Sequence, residues 1–292
     1  MRVAESPFEH NHADPWAKQF VDLGRLNAGA SDAIVEAIAH VRERAREDLA
    51  ELRAKSLLVL GPAGAGKTHL FARLRKKLGP RAIFVHLRPL LGAEMTPRYV
   101  LDQIVTQLAY DTAQPILDAA PALAQVDALV AGALAHLKDD PPDMPRAFLD
   151  GCLDLDRKKL DELLEWATER VLDRYPEVDE MVLRRLLGVP FMAKSERRAA
   201  LAWLSGRELE ESQLARLRVT SGLSEERVVP ALRTLAVTAA AGAPIVLVFD
   251  QLENLVDREA TGGRVRSFGN LVAELFDSMR GFVLVSMALD TE

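Results

Sequence analysis

Four short stretches of the chain are dominated by apolar residues, and between them apolar positions recur every three or four residues. The stretches are 56–60 (SLLVL), 81–88 (RAIFVHLR, centred on Ile83, Phe84 and Val85), 245–249 (IVLVF) and 282–287 (FVLVSM). Strand-length runs without polar alternation are expected of parallel strands covered on both faces. The intervals read as helices. Ser31 and Asp32 offer a cap and an acidic first turn for a helix carrying Ile34, Ala37, Ile38, Val41 and Ala45 on one side. Leu70, Phe71, Leu74 and Leu78 continue the pattern after the first strand until Gly79-Pro80 ends it. A last amphipathic helix covers 267–279, after a loop at Thr261-Gly262-Gly263.

Strands alternating with helices predict an α/β parallel sheet with helices on both faces. The interval 89–243 is far longer than an ordinary crossover, so it predicts an inserted subdomain. Its signals are helical. Thr96-Pro97 opens a helix, Leu160, Leu163, Leu164, Ala167 and Val171 share a face, 199–204 closes at Gly206, and Ser224-Glu225-Glu226 opens a helix running to Ala241. Breaks at Pro141-Pro142, Pro145 and Pro190 divide the helical groups. Trp166 and Trp203 are expected in its core, and Asp161, Glu162, Glu165, Arg184, Arg185, Arg197 and Arg198 on solvated faces. The predicted organisation is an arm at 1–30, core segments at 31–88 and 244–292, and the insertion at 89–243.

The ends of two strands carry the chemistry. The first runs into Gly61-Pro62-Ala63-Gly64-Ala65-Gly66-Lys67-Thr68, which fits the phosphate-loop pattern G-x-x-x-x-G-K-[ST] at every fixed position. Glycines let successive N–H groups turn toward phosphates, and the helix that follows adds the positive end of its dipole. Residues 61 to 68 and the adjoining His69 are therefore candidate nucleotide contacts, with Lys67 reaching the β- and γ-phosphates and Thr68 ligating Mg²⁺. The stretch 244–253, PIVLVFDQLE, ends a buried strand in Asp250, a carboxylate placed to hold the water shell of Mg²⁺. ATP and Mg²⁺ are the expected ligands.

Composition adds little to this picture. A hydrophobic share of 49% with 27% charged residues supports a packed core, and 292 residues allow one large or two ordinary domains. With no apolar run long enough to span a bilayer and no signal-peptide pattern at the start, the chain reads as cytoplasmic without a membrane role. Cys152 reads as a small core residue. Glu9, His10, His12 and Asp14 read as a solvated terminus, because no matching ligands follow at a metal-binding spacing. A net charge of −6 gives no general attraction to nucleic acid and leaves a local basic groove open. Arg73, Arg75, Lys76, Lys77 and Arg81 form a basic run, expected on a solvated helix face.

GPAGAGKT after one strand, a second strand, VFDQLE ending a third and a further strand after it resemble the AAA+ and related STAND P-loop ATPases over residues 31–88 and 244–290. The resemblance implies strand order 5-1-4-3-2. It also implies that a fifth strand and a helical lid with a sensing arginine would follow residue 292, or that another protein completes the core. Where AAA+ proteins usually have a second acid directly after the aspartate, this chain has Gln251, and the nearest carboxylate is Glu253. Both are candidates in the water-activating step. The strand after Asp250 is expected beside the loop strand, with Ser286 as the polar residue facing the γ-phosphate and Asp290 just beyond. Arg264 and Arg266, after the glycine loop, are candidate cations reaching into a neighbouring subunit's site, with Arg266 preferred. The implied functions are an ATPase motor or remodeller, or a slow-hydrolysing switch or scaffold of the kind found in bacterial stress and antiviral defence. A small-molecule kinase is disfavoured by the missing arginine-rich lid. ATP/ADP, self-association and a core-completing protein are the implied partners.

Overall fold

The computed structural model describes residues 15–16, 27–47, 52–89, 94–113, 123–139, 145–255 and 263–290. The acid and histidine group at 9–14, the Pro141-Pro142 break and Thr261-Gly262 lie outside them. In chain order the elements are α1 (Ala28–Glu47), β1 (Lys55–Gly61), α2 (Lys67–Leu78), β2 (Ile83–Leu87), α3 (Pro97–Leu108), α4 (Gln125–Leu137), α5 (Pro145–Leu153), α6 (Arg157–Arg174), α7 (Glu180–Gly188), α8 (Lys194–Leu204), α9 (Glu211–Leu217), α10 (Val228–Ala240), β3 (Ile245–Phe249), α11 (Gly263–Ser278) and β4 (Val283–Leu289). The four apolar stretches are the four strands. They form one parallel sheet in the order β1-β4-β3-β2, as in the order 5-1-4-3-2 without its outermost member.

The strand register sorts side chains onto two faces, because successive residues alternate. Phe84, His86, Val248 and Asp250 share the face packed by α2, where Phe71 meets the rings of Phe84 and His86 edge-on. Leu57 and Val59 belong to that face and pack on the core. Val85, Leu87, Phe249 and Ser286 share the other face, where Phe249 meets Phe268 of α11. Helices therefore cover both faces, as the fully buried β2 and β3 require.

The two sheet edges differ. On β2, two glutamines from the helical region act as a substitute strand. The Gln125 side chain accepts from Phe84 N–H at 2.7 Å and donates to Phe84 C=O at 3.0 Å. Gln107 does the same to His86, at 2.7 and 2.9 Å. Gln125 also donates to the Gln107 carbonyl at 2.8 Å, tying α4 to α3. With 1% and 4% exposure, both amides replace water that the edge backbone cannot reach. On β1, Leu58 and Leu60 project from the second face at 63% and 55% exposure, and β4 is the single strand pairing with β1 among the described residues.

The regular structure of residues 89–243, where described, is helical apart from one isolated bridge between Asp111 and Ala124. Trp203 is fully buried and donates to Ser221 C=O, as a core tryptophan must. Trp166 is half-buried. Two expected surface arginines join helices instead. Arg197 pairs with Asp127 across α8 and α4 at 2.8 Å, and Arg184 joins Glu165 of α6 and Glu180 of its own helix. Cys152 is buried, and burial pushes its thiol pKa up, so it is a small core group.

The basic run on α2 is also not a free face. Arg75 is buried, lies 4.0 Å over the Trp16 ring and donates to the carbonyls of Pro15 and Asp111. Arg81 donates to the carbonyls of Leu78 and Lys77, capping the C-terminal end of α2. Arg75 thus joins distant segments, and Arg81 closes the end of its own helix. The first helix also starts earlier than its sequence signal: α1 begins at Ala28, Ser31 is buried inside it, and Asn27 precedes it at φ 56°.

Candidate nucleotide site

The site is built where β1 and β3 end at the first turn of α2. Gly64 and Gly66 take φ of 75° and 79°, the left-handed region that a side chain resists, which lets the loop reverse into the helix. Ala65 N–H donates to Pro62 C=O at 3.2 Å, and Asn27 donates from its side chain to Ala65 C=O at 2.7 Å. The ammonium of Lys67 donates to the carbonyls of Gly61 at 2.8 Å and Pro62 at 3.1 Å, which keeps it at the loop. As the first residues of α2, Lys67, Thr68 and His69 carry N–H groups with no partner inside the helix. Pro62, Ala63, Gly64 and His69 are exposed. The arrangement offers amide donors, a helix N-terminus and a cation to a bound anion.

Asp250, 2% exposed, follows β3 and donates its own N–H to Leu87 C=O. Its Oδ2 accepts from Thr68 Oγ1 at 3.3 Å and lies 3.0 Å from His86 Nε2. Its Oδ1 accepts from Gln251 N–H at 2.9 Å. Burial pushes the carboxyl pKa up, but the His86 hydrogen bond and charge, the Gln251 N–H and nearby Arg88 outweigh it, and the net pKa is lowered. The group is held ionised. A hydroxyl beside a carboxylate is a hard-oxygen pair suited to Mg²⁺, which is commonly held by one or two protein groups together with substrate phosphates. Among the described residues there is no cluster of three or more His, Cys, Asp or Glu that would cage a metal by themselves. The donor set fits Mg²⁺ held with a nucleotide.

The family model described as AAA ATPase domain matches residues 32–278. The chain belongs to this AAA ATPase domain family. No match was found among curated proteins or among solved structures. The matched span includes the helical region, so residues 89–243 lie within the family's reach rather than outside it. As an AAA ATPase domain, the chain is a nucleotide-binding module of the P-loop class.

Within this AAA ATPase domain the remaining candidates separate. Gln251 adopts φ 60°, uncommon for a residue with a side chain, and its amide oxygen accepts weakly from Asn254 at 3.4 Å. Glu253 sits in the short 3₁₀ turn Leu252–Leu255, and its Oε2 is buried with no hydrogen-bond partner. Ser286 does not join the site as expected. It pairs with Phe249 and Leu58 inside β4, on the sheet face opposite Asp250. The position level with Asp250 is Met287, and it is Asp290 whose N–H reaches the loop, donating to Gly61 C=O. Arg264 and Arg266 stand in the first turn of α11 rather than in a loop, and Arg266 is exposed. Among the described residues, no helix is long and apolar enough to cross a membrane.

Three polar side chains of the site escaped the sequence reading: Asn27, His86 and Gln107. His86 carried a signal. A histidine inside a run destined for burial on both faces needs a polar partner, and Asp250 is that partner. Asn27 and Gln107 had none, since their targets are backbone groups brought near by tertiary packing.

Proposed function

We propose that this AAA ATPase domain binds ATP with Mg²⁺, hydrolyses it, and uses the change of nucleotide state to drive conformational change or assembly in a larger complex. The observation that carries the reading is the Thr68 to Asp250 hydrogen bond, which joins the phosphate loop to the end of β3 across 182 positions of sequence. Thr68 and Asp250 would hold the cation, and when bound it supplies charge neutralisation of the phosphates. Lys67 binds the phosphates by charge-assisted hydrogen bonds, and the N–H groups of residues 64–68 orient them. Glu253 takes a proton from the attacking water. Its buried, unpartnered Oε2 supports that role, because such an atom costs stability unless something satisfies it. Arg266 acts on the site of a neighbouring copy. Its exposure in the first turn of α11, shortly after the segment that follows Asp250, supports that reading.

The second reading is a slow-hydrolysing switch, in which binding rather than turnover stabilises one assembly state. Gln251 favours it, because an amide stands directly after Asp250 where it cannot act as a base. In either reading the outer side of β1, which has no strand beside it among the described residues, offers its backbone groups to a partner.

Lys67→Ala tests the core of the proposal. It removes the loop's cation and should weaken binding of a fluorescent ATP analogue by about tenfold or more; unchanged affinity in a folded variant rejects the assignment. Mixed with Arg266→Ala protein, the same variant should regain part of the turnover that each lacks. Absence of recovery with both folded removes Arg266 from the site.

A further inference from the structure

Asp250 is more tightly held than cation binding alone requires, and the group that holds it comes from β2. His86 is buried on the sheet face shared with Asp250, with its ring edge-on to Phe71 of α2. Its Nε2 lies 3.0 Å from Asp250 Oδ2, the same oxygen that accepts from Thr68. The backbone N–H of Gln251 takes the other oxygen. With both oxygens engaged, the carboxylate is fixed in rotation as well as position.

The support continues outward. His86 is the residue whose N–H and C=O are both bonded by the Gln107 amide of α3. Gln107 is itself bonded by Gln125 of α4 through its carbonyl. A line of hydrogen bonds thus runs from α4 and α3 through His86 to the carboxylate beside the phosphate loop. Each link is buried, where hydrogen bonds are directional and costly to lose.

We propose that His86 is a positioning residue for the divalent-cation site, its Nε2–H orienting the Asp250 carboxylate toward the Thr68 hydroxyl, and that Gln107 makes the helical region part of that support. The proposal rests on the nucleotide-site reading above. It requires only a donor at Nε2. Partners one shell out from a metal ligand fix its orientation, and their loss commonly weakens metal affinity by about 10- to 100-fold.

The test measures Mn²⁺ uptake by electron paramagnetic resonance in the presence of saturating ADP, with ADP affinity measured separately in EDTA. His86→Leu fills the space without a donor. It should raise the Mn²⁺ dissociation constant by about tenfold or more while leaving ADP affinity in EDTA unchanged. His86→Gln, with an N–H at the end of its side chain, should recover most of the loss, which a purely packing role for the ring would not produce. His86→Met is the second variant without a donor, so the comparison stands if the leucine protein does not fold. Gln107→Leu should weaken Mn²⁺ uptake by a smaller factor, and an unchanged value removes the helical region from the support. Equal or tighter Mn²⁺ binding by the donor-free variants overturns the proposal, as does a glutamine variant no better than leucine. If the wild-type protein takes up no Mn²⁺ with ADP, the nucleotide-site reading itself fails.

Discussion

Glu253 and Gln251 are the two candidates for the water-activating step at the scale of single residues. Both follow Asp250 within one short turn, yet one is a carboxylate with an unpartnered buried oxygen and the other an amide held at a left-handed φ. Neutralising a water-activating base in place leaves binding contacts intact and slows the chemical step. Glu253→Gln is therefore expected to keep ATP affinity and reduce single-turnover hydrolysis by roughly tenfold or more. If Gln251→Ala shows that loss while Glu253→Gln behaves as wild type, Gln251 and not Glu253 orients the water. The candidates Lys67, Thr68 and Asp250 were legible in the sequence because the phosphate-loop pattern and the strand ending in aspartate state chemistry in local order. Ser286 was misplaced because a strand's end was judged from its apolar run, whereas β4 continues to Leu289.

At the scale of elements, the edge of β2 shows how a helical region can finish a sheet. Gln125 satisfies an N–H and a C=O of Phe84 that otherwise face a dry interface. Gln125→Leu keeps approximate volume and leaves these groups without partners, each at a cost of about 1–3 kcal/mol. Chemical denaturation should show the protein destabilised by an amount in that range or above it. A change below about 0.5 kcal/mol, the size typical of neutral surface substitutions, would mean that water reaches the edge. Helix α4 also approaches the turn after α10 without any side chain between them. A Cβ on Gly242 would lie 2.4 Å from the Gly132 carbonyl carbon. That closeness helps place Gln125 against Phe84, and no periodicity of apolar residues announces it. The strands and most helices were legible because period and turn residues are local. The glutamine clamps were not, since a glutamine at a helical position looks like an ordinary surface residue until the fold brings a strand edge beside it.

For the whole molecule, the two sheet edges make opposite demands. The β2 side is closed by α3 and α4, while β1 presents Leu58 and Leu60 to solvent beside the phosphate loop. An apolar strand edge left open is a template for another strand. Lysine at such positions is the usual deterrent, so the Leu58→Lys, Leu60→Lys double variant should shift sedimentation velocity profiles toward the monomer while retaining nucleotide binding at the loop. An unchanged association state would show that assembly, where it occurs, uses another surface. This asymmetry also bears on the helical region. It is bonded through Gln107 and His86 to Asp250 of the candidate cation site, and on the proposed function this is a physical route by which nucleotide state and the helical surface influence one another.

Local order in the sequence determined the parallel α/β class, the four strands, the helical nature of the described part of residues 89–243 and the choice of Lys67, Thr68 and Asp250 as candidates. Each of these rests on a spacing or run that adjacent residues define for themselves. Tertiary structure alone decided that His86 meets Asp250, that Gln107 and Gln125 stand in for a strand, that Asn27 braces the phosphate loop and that Arg75 is buried over Trp16. The reason is distance along the chain: these partners are 21 to 164 positions apart, and nothing in the spacing of either partner encodes the other. Only the strand order and the packing of helices on the sheet bring them within hydrogen-bonding reach.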